Sequence, residues 1–348
     1  MRYLFNNFIE SAYIKILVAL LILITISIFS LSQGYADIHF STMVKILWEM
    51  INSNDHSQIS ESSKLIITEI RLPRLIASII VGGALAYSGA TYQGIFRNPL
   101  ADPFLLGIAS GASFGIALLV ISPWEQNLYI GILTPFVAFV SSGITIVVVL
   151  LLARKAGKFD NYSIILAGVA LSAIFSAFTS FILLTGGENA RPIFGFLFGG
   201  FNTITWLKVF LCTPYVLLGG TVIFLLGHRL NILQLDDDQA QNLGLDVEKT
   251  RIILLAAASL IAAAAVSMAG IIGFVGLIVP HMIRLIVGSD YRLLLPLAAI
   301  FGATFVVLTD IIARTIIEPQ EIPVGIVTAM VGGPFFIWLL SSQKRISM

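Results

Sequence analysis

Charge is what this sequence has least of. Of its 348 residues only 20 are basic and 19 acidic, 11% in all, where soluble domains carry about 25%. Cysteine occurs once, as Cys212 in an apolar run, so an intramolecular disulfide is excluded and the residue reads as a small hydrophobe. There are four histidines, and His281 has no second His, Cys or carboxylate at ligand spacing, which leaves no metal-binding motif. No Gly-x-x-x-x-Gly-Lys-Ser/Thr loop is present, since Gly157-Lys158 runs into Phe159. The chain therefore does not hydrolyse ATP in the usual way. No nucleophile–base set is evident. A net charge of +1 without a basic tail gives no footprint for nucleic acid.

Apolar residues fill the space the charges leave, at 57% of the chain. A soluble fold of this length cannot hide so many, which excludes soluble, disordered, coiled-coil and disulfide-stapled classes. A polytopic membrane protein remains. One crossing needs about 20 apolar residues. Charge-poor windows give ten spans, at 14–33, 72–95, 104–122, 130–153, 162–184, 207–227, 252–272, 277–287, 293–314 and 322–341. The first is read as a retained span, because its apolar part is too long for a secretory signal. The stretch Ile252–Ile283 is too long for one helix and too short for two full ones. Gly270, Gly273, Gly276 and Pro280 break it into a full span and a short one.

Ten spans put both termini on one face. With that face inside, 13 basic residues lie within (Arg2, Lys15, Arg97, Arg154, Lys155, Lys158, Arg229, Lys249, Arg251, Arg284, Arg292, Lys344, Arg345) and 7 outside (Lys45, Lys64, Arg71, Arg74, Arg191, Lys208, Arg314). The bias predicts cytoplasmic termini. The expected organisation is a single permease domain over 1–348. It has an outer loop at 34–64 and a polar inner connection at 228–250. Within the outer loop, Ser41–Ile51 reads as an interfacial helix capped by Ser41 or Thr42, with Met43, Leu47 and Met50 on one side.

Gly89, Pro99 and Gly107 superpose on Gly270, Pro280 and Gly288 at a constant offset of 181. Each Pro is read as lying just past the end of a span, five spans apart, so the second copy is inverted, an arrangement common among transporters. Ionisable residues inside spans are scarce. Asp310 and Arg314, four apart, are expected to pair. His281 reads as a hydrogen-bonded packing residue, with proton relay or metal ligation as alternatives. Energy for transport must then come from a gradient or from another subunit.

An ordered set of strings carries a resemblance. Arg71-Leu-Pro-Arg74 opens the second span, and Asn98-Pro-Leu-Ala-Asp-Pro103 closes it. Leu106-Gly-Ile-Ala-Ser-Gly111 and Leu166-Ala-Gly-Val-Ala170 follow. Then come Gly273-Phe-Val-Gly-Leu-Ile-Val-Pro-His281 with Arg284, Asp310-Ile-Ile-Ala-Arg314 and Glu321-Ile-Pro-Val-Gly-Ile-Val-Thr-Ala329. Over about residues 65–340 the chain resembles the FecCD-type permeases, membrane subunits of ABC importers for iron–siderophores, haem and vitamin B12.

The resemblance implies an all-α, ten-helix, type II importer permease. It implies a second permease subunit, as a homodimer, two ATP-binding cassette subunits that hold ATP and magnesium, and a periplasmic binding protein, all at the inner membrane. No cofactor is expected in this chain. By similarity, Arg71, Arg74 and Arg314 dock the binding protein, with headgroup anchoring as the plainer role for the first two. Asn98 and Leu100 would line a constriction, and Asn161 and Tyr162 a second gate, although these two differ from the small hydroxylated residues of the vitamin B12 permease. Asp236, Asp237, Ala240, Leu243 and Gly244 match a coupling segment of two short helices that meets the ATPase. Many relatives have Gly-Glu where this chain has Asp236-Asp237. The competing class is a stand-alone secondary transporter, which needs a mid-membrane acid.

Overall fold

The computed structural model describes residues 2–36, 38–52, 59–122, 130–155 and 160–343. Of the expected inner cations, Lys158, Lys344 and Arg345 lie outside these residues, as does part of the outer loop. Among the described residues every regular element is helical.

In chain order the helices are α1 (Arg2–Ser32), α2 (Phe40–Asn52), α3 (Glu61–Leu65), α4 (Leu72–Phe96), α5 (Ile108–Val120), α6 (Ile130–Lys155) and α7 (Asn161–Thr185). They continue as α8 (Arg191–Phe198), α9 (Trp206–Ile232), α10 (Asp237–Asn242), α11 (Val247–Ala269), α12 (Val275–Val287), α13 (Tyr291–Thr315) and α14 (Val324–Gln343). A π-helical turn, Ile66–Arg71, joins α3 to α4, and a 3-10 turn, Pro103–Leu106, precedes α5.

All ten expected spans are helices, as α1, α4, α5, α6, α7, α9, α11, α12, α13 and α14. At 1.5 Å per residue the 25 residues of α4 reach about 38 Å, enough to cross a bilayer core. The 13 residues of α12 reach about half of that. The break before α12 is tighter than expected. It occupies residues 270–274, between Gly270 at φ 72° and Phe274, which holds the left-handed region at φ 68°. Gly276 and Pro280 lie inside α12.

α4 and α11 run through the middle of the bundle, while α7 and α9 turn Phe181, Leu184, Phe210, Leu217 and Phe224 outward. Lipid is as apolar as these side chains, so hydrophobicity does not hold the helices together; close backbone approach and interhelical hydrogen bonds do. A Cβ at Gly89 of α4 would sit 1.8 Å from the carbonyl oxygen of Gly276 in α12, and one at Gly82 2.3 Å from that of Gly302 in α13. Only glycine permits these crossings. Ser88 Oγ donates to Ala258 O at 2.8 Å, Tyr92 Oη lies 2.5 Å from Ser259 Oγ, and Gln93 Nε2 donates to Leu277 O at 3.1 Å. Together they stitch α4 to α11 and α12.

The pairings recur five spans apart. α4 packs on α12 and α13, α11 packs on α5 and α6, and the two meet at the centre. The offset-181 marks do not follow this exchange. Gly89 is mid-helix where Gly270 ends one, and Pro99 lies beyond α4 where Pro280 lies within α12. The reason is that glycine in these helices serves close packing as well as breaks, and membrane helices tolerate internal proline. The outer helix also differs from expectation. α2 starts at Phe40, with Thr42 and Met43 N–H donating to His39 O, so Ser41 and Thr42 sit in the first turn. Its inner face is Met43, Ile46 and Leu47; Met50 is exposed.

Candidate gate and coupling site

α4 ends where Arg97 takes the left-handed conformation, φ 51°. The following Asn98-Pro99 disfavours further helix, and Asn98 N–H closes the end onto Gln93 O at 3.2 Å. The turn is built from its own side chains. Asn98 Oδ1 accepts from Leu100 N at 2.9 Å, and Asp102 Oδ1 accepts from Phe104 N at 2.7 Å. Asn98 and Leu100 are exposed. Asn161 opens α7, whose first turn Asp160 caps through Ser163 N. Its Nδ2 donates to Ile95 O at 3.4 Å, so the two expected gate segments adjoin at the end of α4. Tyr162, next along, is exposed.

The inner connection forms one short helix, α10, where two were expected; the first turns of α11, capped by Asp246, take the place of the second. Ala240 is fully buried and its carbonyl accepts from Leu245 N at 3.1 Å, while Gly244 takes φ 82° to reverse the chain. Leu243 and Gly244 are exposed at the tip.

Arg97 joins the two sites. Its Nε donates to Leu233 O at 2.6 Å and a terminal nitrogen to the Asp237 carboxylate, with Asp236 4.0 Å away. Arg251 meets the same carboxylate at 3.3 Å, and Gln234 Nε2 donates to Gly94 O at 2.9 Å. Burial alone would raise the Asp237 carboxyl; Arg251 and Arg97 outweigh it and hold it below the ordinary range.

At the other end of α4 the three outer arginines are all buried. Arg71 donates to Leu31 O and Ser32 O at 2.8 and 3.2 Å and to Ala36 O at 2.5 Å, satisfying the carbonyl end of α1. Arg74 pairs with Asp310 at 2.9 Å and with Glu321 at 2.8 Å. Arg314 donates to Ser30 O, Ser30 Oγ and Gln33 O. The expected Asp310–Arg314 pair is the weaker contact, at 3.7 Å, because Arg74 takes both Asp310 oxygens. None of the three presents a free charge at the rim. His281 is buried with neither imidazole nitrogen hydrogen-bonded, its ring edge toward Phe335, so the hydrogen-bonded reading fails. Among the described residues no His, Cys, Asp or Glu cluster could hold a metal ion.

The model of the FecCD transport family matches residues 20–342. The chain belongs to that family. The cobalamin import system permease protein BtuC of Halobacterium salinarum is 41% identical over 287 residues, 82% of this chain and 76% of that one. The hemin transport system permease protein HmuU of Yersinia pestis is 33% identical, covering 94% and 95%. A solved structure described as an inward-facing conformation of a metal-chelate type ABC transporter superposes with a TM-score of 0.79 at 31% identity, over 94% of this chain and 98% of that one.

The chain is thus a multi-pass transport permease of the FecCD type. The sequence marks the turn and the polar connection at 228–250; Arg97, Gln234 and Arg251, which join them, are not among the site residues it suggests. The available signal was charge scarcity, since with so few ionic groups a basic residue beside the turn and an acidic run in the inner connection have few other partners.

Proposed function

We propose that this chain is the membrane permease of an ATP-driven importer of metal chelates, with iron–siderophore complexes first and vitamin B12 or haem next. It works as a homodimer with two ATP-binding cassette subunits, which supply ATP and magnesium, and a periplasmic binding protein. It sits in the inner membrane with both termini cytoplasmic. The observation that carries the reading is the ionic tie from Arg97 through Asp237 to Arg251, which makes the 97–103 turn and the 236–244 hairpin one mechanical unit. A push on exposed Leu243 and Gly244 by the ATPase moves the hairpin, and Arg97 carries the motion to the turn bearing Asn98 and Leu100. Asn161 and Tyr162, adjoining that turn, would move with it.

The buried outer arginines suit a different role from direct docking. They hold the carbonyl end of α1 and the acid pair Asp310 and Glu321, which shapes the rim against which a binding protein would sit. A stand-alone secondary transporter has no supporting observation, since Asp310, the acid in α13, is neutralised by Arg74.

Reconstitution with the cognate ATPase and binding protein tests the proposal. Changing Leu243 and Gly244 to Asp is expected to leave the basal ATPase rate but abolish its stimulation and the ATP-dependent uptake. Uptake that needs no ATPase, or normal coupling in that variant, would overturn it.

A further inference from the structure

A groove on the outside of the bundle is absorbed by neither the gate nor the coupling hairpin. α1, α4, α9, α11 and α13 line a cavity of about 460 Å³ open toward the lipid, with Leu23, Tyr87, Val216, Phe224, Ile261 and Ala299 among its lining. Glycine keeps its wall open. A Cβ at Gly220 would meet nothing within 4 Å, so that position leaves space where a side chain would fit. Phe224 also borders a second cavity, of about 440 Å³, lower between α9 and α13. That one is polar at its mouth, where His228 and Arg292 stand exposed at the ends of their helices. The nearby acid, Asp290, is turned to Asn231 Nδ2 at 2.7 Å and to its own helix start, through Arg292 N at 3.0 Å.

We propose that these two cavities, which meet at Phe224, together form a binding site for one anionic phospholipid, its acyl chain along α9 beside Gly220 and its phosphate at Arg292 and His228. Three features select that occupant. The groove opens into the bilayer, where hydrocarbon is the medium. Its apolar stretch runs along the helix direction, the direction of an acyl chain. Its interfacial end carries an obligate cation and a second donor, the chemistry that basic pockets between membrane helices offer to anionic headgroups. The site does not depend on which membrane face holds that end, nor on the transport reading.

Native mass spectrometry of the purified full chain in neutral detergent, with equimolar phosphatidylglycerol and phosphatidylcholine of identical chains, tests it. The wild type is expected to retain phosphatidylglycerol about fivefold over phosphatidylcholine, whose choline cancels the phosphate charge, as one obligate cation at the membrane surface implies. Arg292→Gln with His228→Gln should bring that ratio close to unity, while Arg229→Gln, beside the site but lining neither cavity, should leave it unchanged. Gly220→Leu should lower retention of both lipids several-fold by filling the hydrocarbon track. Equal retention by the wild type, or an undiminished preference in the double variant, overturns the proposal. Displacement of the lipid by glycerol phosphate at the same concentration would also overturn it, showing that phosphate alone suffices.

Discussion

The two ends of α4 both rest on arginine, and they are built to opposite purposes. At the outer end Arg74 is 7% exposed and meets two carboxylates, one of them, Asp310, 1% exposed. At the inner end Arg97 and Asp237 have side chains 28% and 45% exposed. A buried pair cannot be parted without stranding a charge in a medium that does not solvate it. A half-exposed pair can, because water replaces each partner. The outer end is therefore a lock and the inner end a latch.

The contrast can be broken most severely at the lock. Arg74→Gln leaves Asp310 buried without its partner and is expected to cost about 3–5 kcal/mol, read as a fall in unfolding midpoint of the purified protein. Arg97→Gln should shift that midpoint much less. Equal losses would erase the distinction between the ends. Next in size is the shaft between them. Gly89→Val drives a side chain into the Gly276 carbonyl, and overpacking of this kind costs about 1–3 kcal/mol. Thermal unfolding should show it, together with weakened coupling, since α12 must shift.

At the latch, a double-mutant cycle of Arg97→Gln and Asp237→Asn should give a coupling energy of about 0.5–1 kcal/mol. Uptake in the reconstituted importer should nevertheless fall sharply. A cycle energy of several kcal/mol would make the inner pair a second lock.

A further test concerns Asp102, in the turn itself. Burial pushes its carboxyl up to about 6 from an ordinary 3.8. The folded protein then binds the proton more tightly than the unfolded chain. The contribution of Asp102 to stability is therefore greatest below about pH 4 and is lost as pH rises through 6, the reverse of the usual carboxylate. Asp102→Asn keeps the cap on Phe104 N and should flatten this slope, as unfolding scans between pH 4 and 7 would reveal. An unchanged slope would place the titration elsewhere.

Much of the fold was legible in the residues. Runs without charge marked ten spans because a bilayer imposes one length on every crossing. The polar connection at 228–250 was legible because Asp236, Asp237 and Asp238 cluster in a hydrated stretch, and the turn at 98–103 because Asn-Pro and Asp-Pro stop helices. The repeat register was misread, because a glycine that ends a helix and one that admits a neighbouring helix look alike in sequence. The docking role of Arg71, Arg74 and Arg314 came from the resemblance; their buried partners were not legible, because hydropathy reports the depth of a residue, not what lies beside it.

The sequence by itself determined which segments cross the membrane and which polar clusters lie between them, since both follow from local chemistry and from bilayer thickness. Only the tertiary structure decided which charges meet. Arg97 and Asp237 are 140 residues apart and Arg74 and Asp310 236 apart. What brings them together is the crossing of α4 with its neighbours, fixed by glycine contacts such as Gly82 on Gly302. Backbone approach at a distant point sets the partner of each arginine, and no local pattern encodes it.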